Sequence, residues 1–125
     1  MIRTFYSFFI LVLFLSCQQA GSSTIDADKL KGLQKDGVII VDVRTEKEYA
    51  DGHIVGVKHN INFLSNDFLT KMEDFDKSKP IIIHCARGGR SGKAAATLKE
   101  AGFLEIYDYV GGFNDWKARG EKIEK

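Results

Sequence analysis

One cysteine stands where its thiol could be made a nucleophile. Cys85 ends the apolar run Ile81-Ile82-Ile83-His84, and Ala86-Arg87-Gly88-Gly89-Arg90-Ser91 follow it directly. The run reads as a buried strand, and residues 91–101, rich in alanine, read as a helix stopped by Gly102. A thiol between the two sits at the carboxyl end of a strand, beside a helix N-terminus, two arginines and a ring of backbone N–H groups. Each of these favours negative charge. An ordinary thiol with a pKa of ~8.5 is only a few per cent ionised at pH 7, and lowering it to about 7 ionises roughly half. That shift is about 2 kcal/mol, within reach of one helix terminus and one arginine. Gly88 and Gly89 are expected to turn the backbone through conformations that a Cβ would block. Together with Ala86, Arg87, Arg90 and Ser91 they can present N–H donors to the sulfur.

The spacing narrows the chemistry. Cys85 to Arg90 is C-x4-R, a six-residue loop, and Ser91 holds the position that the C-x5-R loop of cysteine phosphatases would give to arginine. The shorter loop resembles that of the rhodanese family of sulfurtransferases. Three further segments extend the resemblance. Val41-Asp42-Val43-Arg44 with Glu48-Tyr49 is similar to the family's Asp-x-Arg strand end and the helix after it. Gly52-His53-Ile54-Val55-Gly56 is similar to its Gly-His-Ile-x-Gly turn, with Val55 where proline is frequent. Tyr109-Val110-Gly111-Gly112-Phe113-Asn114-Asp115-Trp116 is similar to its closing Gly-Gly-x-x-x-Trp segment. The four signatures stand in family order from residue 38 to 116. Val57-Lys58-His59-Asn60-Ile61 fits the family pattern only loosely, which leaves the pocket wall there undefined.

The resemblance implies sulfane-sulfur transfer, with Cys85 as nucleophile and sulfur carrier. A donor such as thiosulfate would leave its outer sulfur on Cys85 as a persulfide, and a thiophilic acceptor would then remove it. Arg90 is expected either to orient the donor's anionic oxygens or to brace loop carbonyls. Arg87 would face the pocket mouth or solvent. Asp42 and Arg44 are structural in this reading, tying the sheet to neighbouring loops through ion pairs. The alternative is a persulfide carrier that docks a protein partner and turns thiosulfate over poorly. Phosphate or arsenate ester chemistry is disfavoured by the loop length, and an inert scaffold by the intact cysteine.

These residues need a frame that brings strand ends together. Residues 24–37 read as a short extended start and a helix with Leu30 and Leu33 inward. Val38 to Val43 reads as a strand buried on both faces, Thr45 to Glu48 as a capping box opening a short helix, and 58–63 as a weaker strand. Phe68, Leu69, Met72 and Phe75 fall on one helical face of 66–75. Pro80 opens the Ile81 strand, 105–110 alternates as the last strand, 114–119 closes the domain, and 121–125 reads as a frayed charged tail. Alternating strands and helices predict one α/β domain over residues 24–125, with a central parallel sheet of about five strands and helices on both faces. Ligands of such sheets lie beyond the carboxyl ends of the strands, where Asp42, His84 and Cys85 fall.

The three histidines read as structural or superficial. His53 is expected to fix its turn by a hydrogen bond, and His59 to lie at the surface. His84 should point away from Cys85 by strand alternation, which makes it a poor general base. Trp116 reads as a core anchor near the loop. Scattered in this way the histidines make no metal site, and no cofactor is expected.

The amino terminus is a separate object. Met1-Ile2-Arg3 gives a short positive start, Phe8 to Leu15 is an unbroken apolar run, and Ser16-Cys17 follows. Eight apolar residues are too few to span a bilayer core, which takes about 20 as a helix, but they match a secretory signal. Residues 1–16 therefore read as a signal peptide, and Cys17 as the lipidated cysteine of a bacterial lipoprotein, with Phe14 where leucine is usual. Residues 18–23 read as a polar tether. An ordinary signal peptide cut nearby, or an uncleaved anchor, is the competing reading. Without Arg3 the remainder carries 17 basic and 17 acidic residues, so nucleic acid and polybasic membrane binding have no support. The expected partners are a small sulfur-containing anion or thiol, an acceptor protein, and the membrane through Cys17. The expected location is the cell envelope, facing the periplasm. If Cys17 is acylated, Cys85 is the only free thiol left, and no internal disulfide can form.

Overall fold

The computed structural model describes residues 21–125. The expected signal segment, Cys17 and the first part of the expected tether lie outside the described residues. Five parallel strands make the central sheet: β1 (Gly21–Ile25), β2 (Ile39–Asp42), β4 (His59–Asn60), β5 (Ile81–His84) and β6 (Glu105–Tyr109), in the spatial order β1-β6-β5-β2-β4. A second, antiparallel pair joins β3 (His53–Ile54) to β7 (Ile123–Glu124).

Helices cover both faces, as the alternation of strands and helices requires. On one face α3 (Phe68–Met72) and α4 (Gly89–Glu100) pack Phe68, Met72, Ala94, Ala95 and Leu98 onto Val41, Ile81, Ile83 and Ile106. On the other, α1 (Ala27–Lys35) and α5 (Gly112–Ala118) pack Ala27, Leu30, Phe113 and Trp116 onto Ile40, Ile82 and Tyr109. The period of two along β2 and β5 sorts side chains between the two cores. Cys85 belongs to the first, and His84 faces Tyr109 in the second. The short α2 (Glu46–Asp51) begins in the expected capping box, with Thr45 and Glu48 bonding each other's backbone N–H.

Four local expectations are corrected. Gly21, Ser22 and Ser23 pair with Glu105, Ile106 and Tyr107 as strand rather than tether, because β6 offers them an open parallel edge. The carboxyl-terminal residues are not frayed. Ile123 and Glu124 pair with Ile54 and His53, and Lys122 O accepts from Val55 N and from the Trp116 indole. Leu69 is 42% exposed rather than inward, because α3 spans little more than one turn and only Phe68 and Met72 reach the core. The active-loop helix starts at Gly89, two residues earlier than periodicity suggests. Among the described residues, no helix is long and apolar enough to cross a membrane.

Candidate active site

The strand order reverses direction about β2. From β2 the chain moves outward to β4, then returns to β5 on its other side. The crevice at the carboxyl ends of β2 and β5 is where such sheets bind ligands. Cys85 is the first residue beyond β5 there. Its thiol is buried, at the floor of a cleft of about 570 Å³ lined by Glu48, Ala86, Arg87, Gly89, Arg90 and Asn114.

The loop is shaped by glycine at two positions. Gly88 caps α4 in a left-handed conformation (φ 94°), where a Cβ would lie 2.7 Å from Val110 O. No side chain caps this helix, so its first N–H groups are free to serve another acceptor. Gly88 N donates to Cys85 Sγ at 3.1 Å. Gly112 (φ 66°) lies so close beneath the loop that a Cβ would stand 2.5 Å from Cys85 O. That approach lets Phe113 N and Asn114 N donate to Cys85 O and Ala86 O, at 2.8 and 3.1 Å. The start of α5 thus holds the loop's carbonyls while the start of α4 holds its sulfur. Gly89 needs no such freedom. A Cβ there meets nothing within 4 Å, so the expectation of special backbone holds at Gly88 and not at Gly89.

Burial pushes the Cys85 thiol up. The Ser91 N–H, the Ser91 hydroxyl and the N–H groups of Arg87 and Gly88 outweigh it and hold the thiol below its ordinary value. Ser91 is fully buried, with Oγ 3.6 Å from the sulfur. His84 does not face the thiol. Its Nδ1 donates to Cys85 O at 3.0 Å, and burial keeps the imidazole below its usual pKa.

The arginines divide. Arg90 neither braces loop carbonyls nor stands free; its Nη1 and Nη2 reach the Glu48 carboxylate at 2.6 and 2.9 Å. Arg87 is exposed at the cleft mouth. Asp42 and Arg44 form a buried ion pair of 2.7 Å, and Arg44 also donates to Gly52 O, joining β2 to the turn before His53. His53 bonds Tyr49 O at 2.9 Å and stacks on the Tyr49 ring. His59 lies exposed on the edge strand against Phe75, and Trp116 is buried beneath α5. Among the described residues, no group of three or more His, Cys, Asp or Glu is placed to hold a metal ion.

Sequence reasoning missed Glu48 and Asn114 as cleft residues. Glu48 satisfies a capping box completely, and that local role hides its long-range partner. The usable signal was the need of Arg90, close to a buried loop, for a carboxylate.

A parallel sheet ending in a cysteine-centred anion cradle defines an α/β domain built for thiolate chemistry. Comparison with known proteins gives it a family. The rhodanese-like domain family matches residues 26–119. A thiosulfate sulfurtransferase GlpE of Ectopseudomonas mendocina is 37% identical over 94 residues, covering 75% of this chain and 84% of that one. Its counterpart in Coxiella burnetii is 36% identical over 90 residues, covering 69% and 78%. A rhodanese-like domain protein of Staphylococcus aureus superposes with a TM-score of 0.67 at 31% identity, over 82% of this chain and 99% of that one. The chain belongs to the rhodanese-like domain family and is a rhodanese-like sulfurtransferase.

Proposed function

We propose that the protein moves sulfane sulfur from thiosulfate, or a closely related anion, to a thiophilic acceptor through a persulfide on Cys85. The Cys85 thiolate attacks the outer sulfur of the donor. The S–S bond of thiosulfate breaks, sulfite leaves with the electron pair, and the enzyme holds Cys–S–S⁻. A thiolate or cyanide then attacks the terminal sulfur and releases the Cys85 thiolate. Two half-reactions sharing one covalent intermediate give ping-pong kinetics.

The observation that carries this reading is the Gly88 N–H at 3.1 Å from Sγ, at the uncapped start of α4. Donors fixed in that position stabilise negative sulfur in the thiolate and at the far end of the persulfide, as an oxyanion hole does for oxygen. The relatives' thiosulfate activity points to the same donor. Intact mass after thiosulfate treatment tests it. One sulfur atom should add to the protein and leave with cyanide, and Cys85→Ser should stay folded and gain none. A Cys85→Ser protein that still turned over thiosulfate would remove the assignment.

One observation favours the alternative carrier role. Glu48 already occupies Arg90, which leaves Arg87 as the cleft guanidinium with no carboxylate partner among the described residues. A carrier would discharge to one acceptor protein far faster than it reloads from thiosulfate, and single-turnover rates for the two steps separate the readings.

The reading includes export and a membrane anchor. The positive start, the apolar run and Ser16-Cys17 support lipidation of Cys17, which would tether the domain to the cell envelope. Cys17→Ser should then release the protein from the membrane fraction.

A further inference from the structure

A second cavity adjoins the catalytic cleft, and the sulfur-transfer steps make no use of it. It encloses about 270 Å³ and shares Glu48, Ala86 and Asn114 with the cleft, so the two are continuous across the residue that follows the nucleophile. Cys85 lines the cleft and not the second cavity. Beyond the shared rim, the Phe113 ring and Ile123 make an apolar wall, and Ile123 is left 45% exposed.

Most of the charges around this cavity are already paired. Arg44 holds Asp42 at 2.7 Å, Glu48 holds Arg90 at 2.6 Å, and Asp51 holds Lys47 at 2.7 Å. Lys117 differs. It is exposed and has no carboxylate partner among the described residues. Its Nζ stands 5.1 Å from the centroid of the Phe113 ring, which keeps the ammonium over the apolar wall. A free cation beside an apolar wall, in a space at the small end for ligand sites, fits a short carbon chain ending in a carboxylate. Thiosulfate has no carbon chain to place there. A carbon-bearing acceptor has.

We propose that this cavity is the acceptor's subsite, and that the acceptor it fits is a low-molecular-weight thiol carrying a carboxylate. The chain lies along Phe113 and Ile123, the carboxylate meets Lys117, and the thiolate reaches across Ala86 to the terminal sulfur of the Cys85 persulfide. A new S–S bond forms there, the bond from that sulfur to Cys85 breaks, and Cys85 leaves as the thiolate with the electron pair. The inference rests on the persulfide reading of Cys85, and adds to it the class of acceptor and the residue that selects it.

Two thiols with the same two-carbon chain test it: 3-mercaptopropionate, which ends in a carboxylate, and cysteamine, which ends in an ammonium. In a ping-pong reaction kcat/KM for the acceptor is read independently of the donor. The ratio of the two values, compared between the parent and Lys117→Glu, cancels each thiol's own reactivity and the pull of Arg87. It should fall about tenfold in Lys117→Glu, from attraction lost and repulsion gained at one partly exposed charge pair. Lys99→Glu makes the same charge change in the last turn of α4, lines neither cavity, and should leave the ratio within twofold of the parent. A change below twofold in Lys117→Glu, or an equal change in both variants, would overturn the subsite. A protein that forms no persulfide would end the sulfur-transfer reading, and binding then decides the subsite alone. Amide chemical shifts are followed as 3-(methylthio)propionate, which has no free thiol, is added to the parent. Shifts at Asn114, Lys117 and Ile123 that disappear in Lys117→Glu support a carboxylate site in this cavity. No shifts, or shifts that persist in the variant, overturn it.

Discussion

Arg90 and Glu48 grip each other end to end, with Nη1 on Oε1 at 2.6 Å and Nη2 on Oε2 at 2.9 Å, across the cleft that holds Cys85. The loop that carries the nucleophile is thereby fastened to α2, 42 residues earlier in the chain.

That pair has two measurable consequences. The Arg90 guanidinium holds the Glu48 carboxyl down at about 2, against the penalty of partial burial. A folded-state value below the unfolded one means stability that is fully present above about pH 4.5 and lost as pH falls through about 2. Glu48→Gln keeps the capping geometry, so the difference between parent and variant isolates the charge. With the Glu48 side chain 36% exposed, solvent screening reduces the contribution to about 1 kcal/mol. Urea titrations should show that gap at pH 6 and only a small remnant of it at pH 2. The variant also frees Arg90 for an anion, so its KM for thiosulfate should fall about fivefold, the value of one additional hydrogen bond. An unchanged KM would mean that Arg90 does not meet the donor.

The neighbouring glycines should respond in opposite ways. Gly88→Ala puts a Cβ 2.7 Å from Val110 O at φ 94°. Strain and clash together should cost about 2–4 kcal/mol and raise the pH at which Cys85 reacts with iodoacetamide. Gly89→Ala meets open space at the start of a helix and should gain up to about 1 kcal/mol in thermal unfolding. Equal destabilisation by both would contradict the assignment of backbone strain to Gly88 alone.

The glycine pair also shows what the sequence could and could not reveal. Composition announces that the loop must turn, and strand alternation correctly separates Cys85 from His84. The parallel sheet and its helices follow from apolar runs and periodicity, which are local properties. Which glycine is strained depends on Val110, more than 20 residues away, and such an approach leaves no local trace. The same holds for Glu48, whose nearest duty hides its distant one, and for Ile123, which reads as tail because its partner Ile54 is remote in sequence.

Beneath the site, Asp42 and Arg44 are nearly inaccessible to water, and their charges are balanced chiefly by each other. Asp42→Ala would leave a buried guanidinium with Gly52 O as its remaining hydrogen-bond acceptor, and should cost about 3–5 kcal/mol in urea unfolding. Replacing both partners in Asp42→Ala with Arg44→Met should recover much of that loss, because the uncompensated charge disappears. A double variant no more stable than the single one would show that stacking of the Arg44 guanidinium over the Phe113 ring, at 4.1 Å, matters more than the ion pair.

The carboxyl-terminal residues act on the site through α5. Lys122 O accepts from the buried Trp116 indole at 2.8 Å, and Glu124 accepts from Gly56 N at 3.0 Å. Ending the chain at Gly120 removes both bonds and the β3–β7 pairing, which should cost about 1–3 kcal/mol for an indole N–H left without its partner. The larger effect should appear at the other end of the same helix. Trp116 anchors α5, and the start of α5 supplies the Phe113 and Asn114 N–H groups that fix Cys85 O and Ala86 O. Loosening the anchor should therefore speed hydrogen exchange at Phe113 and Asn114, while amides of α1 on the same face change little. Exchange that accelerated equally across α1 and α5 would mean that the truncation weakens the whole core rather than the clamp beneath the nucleophile.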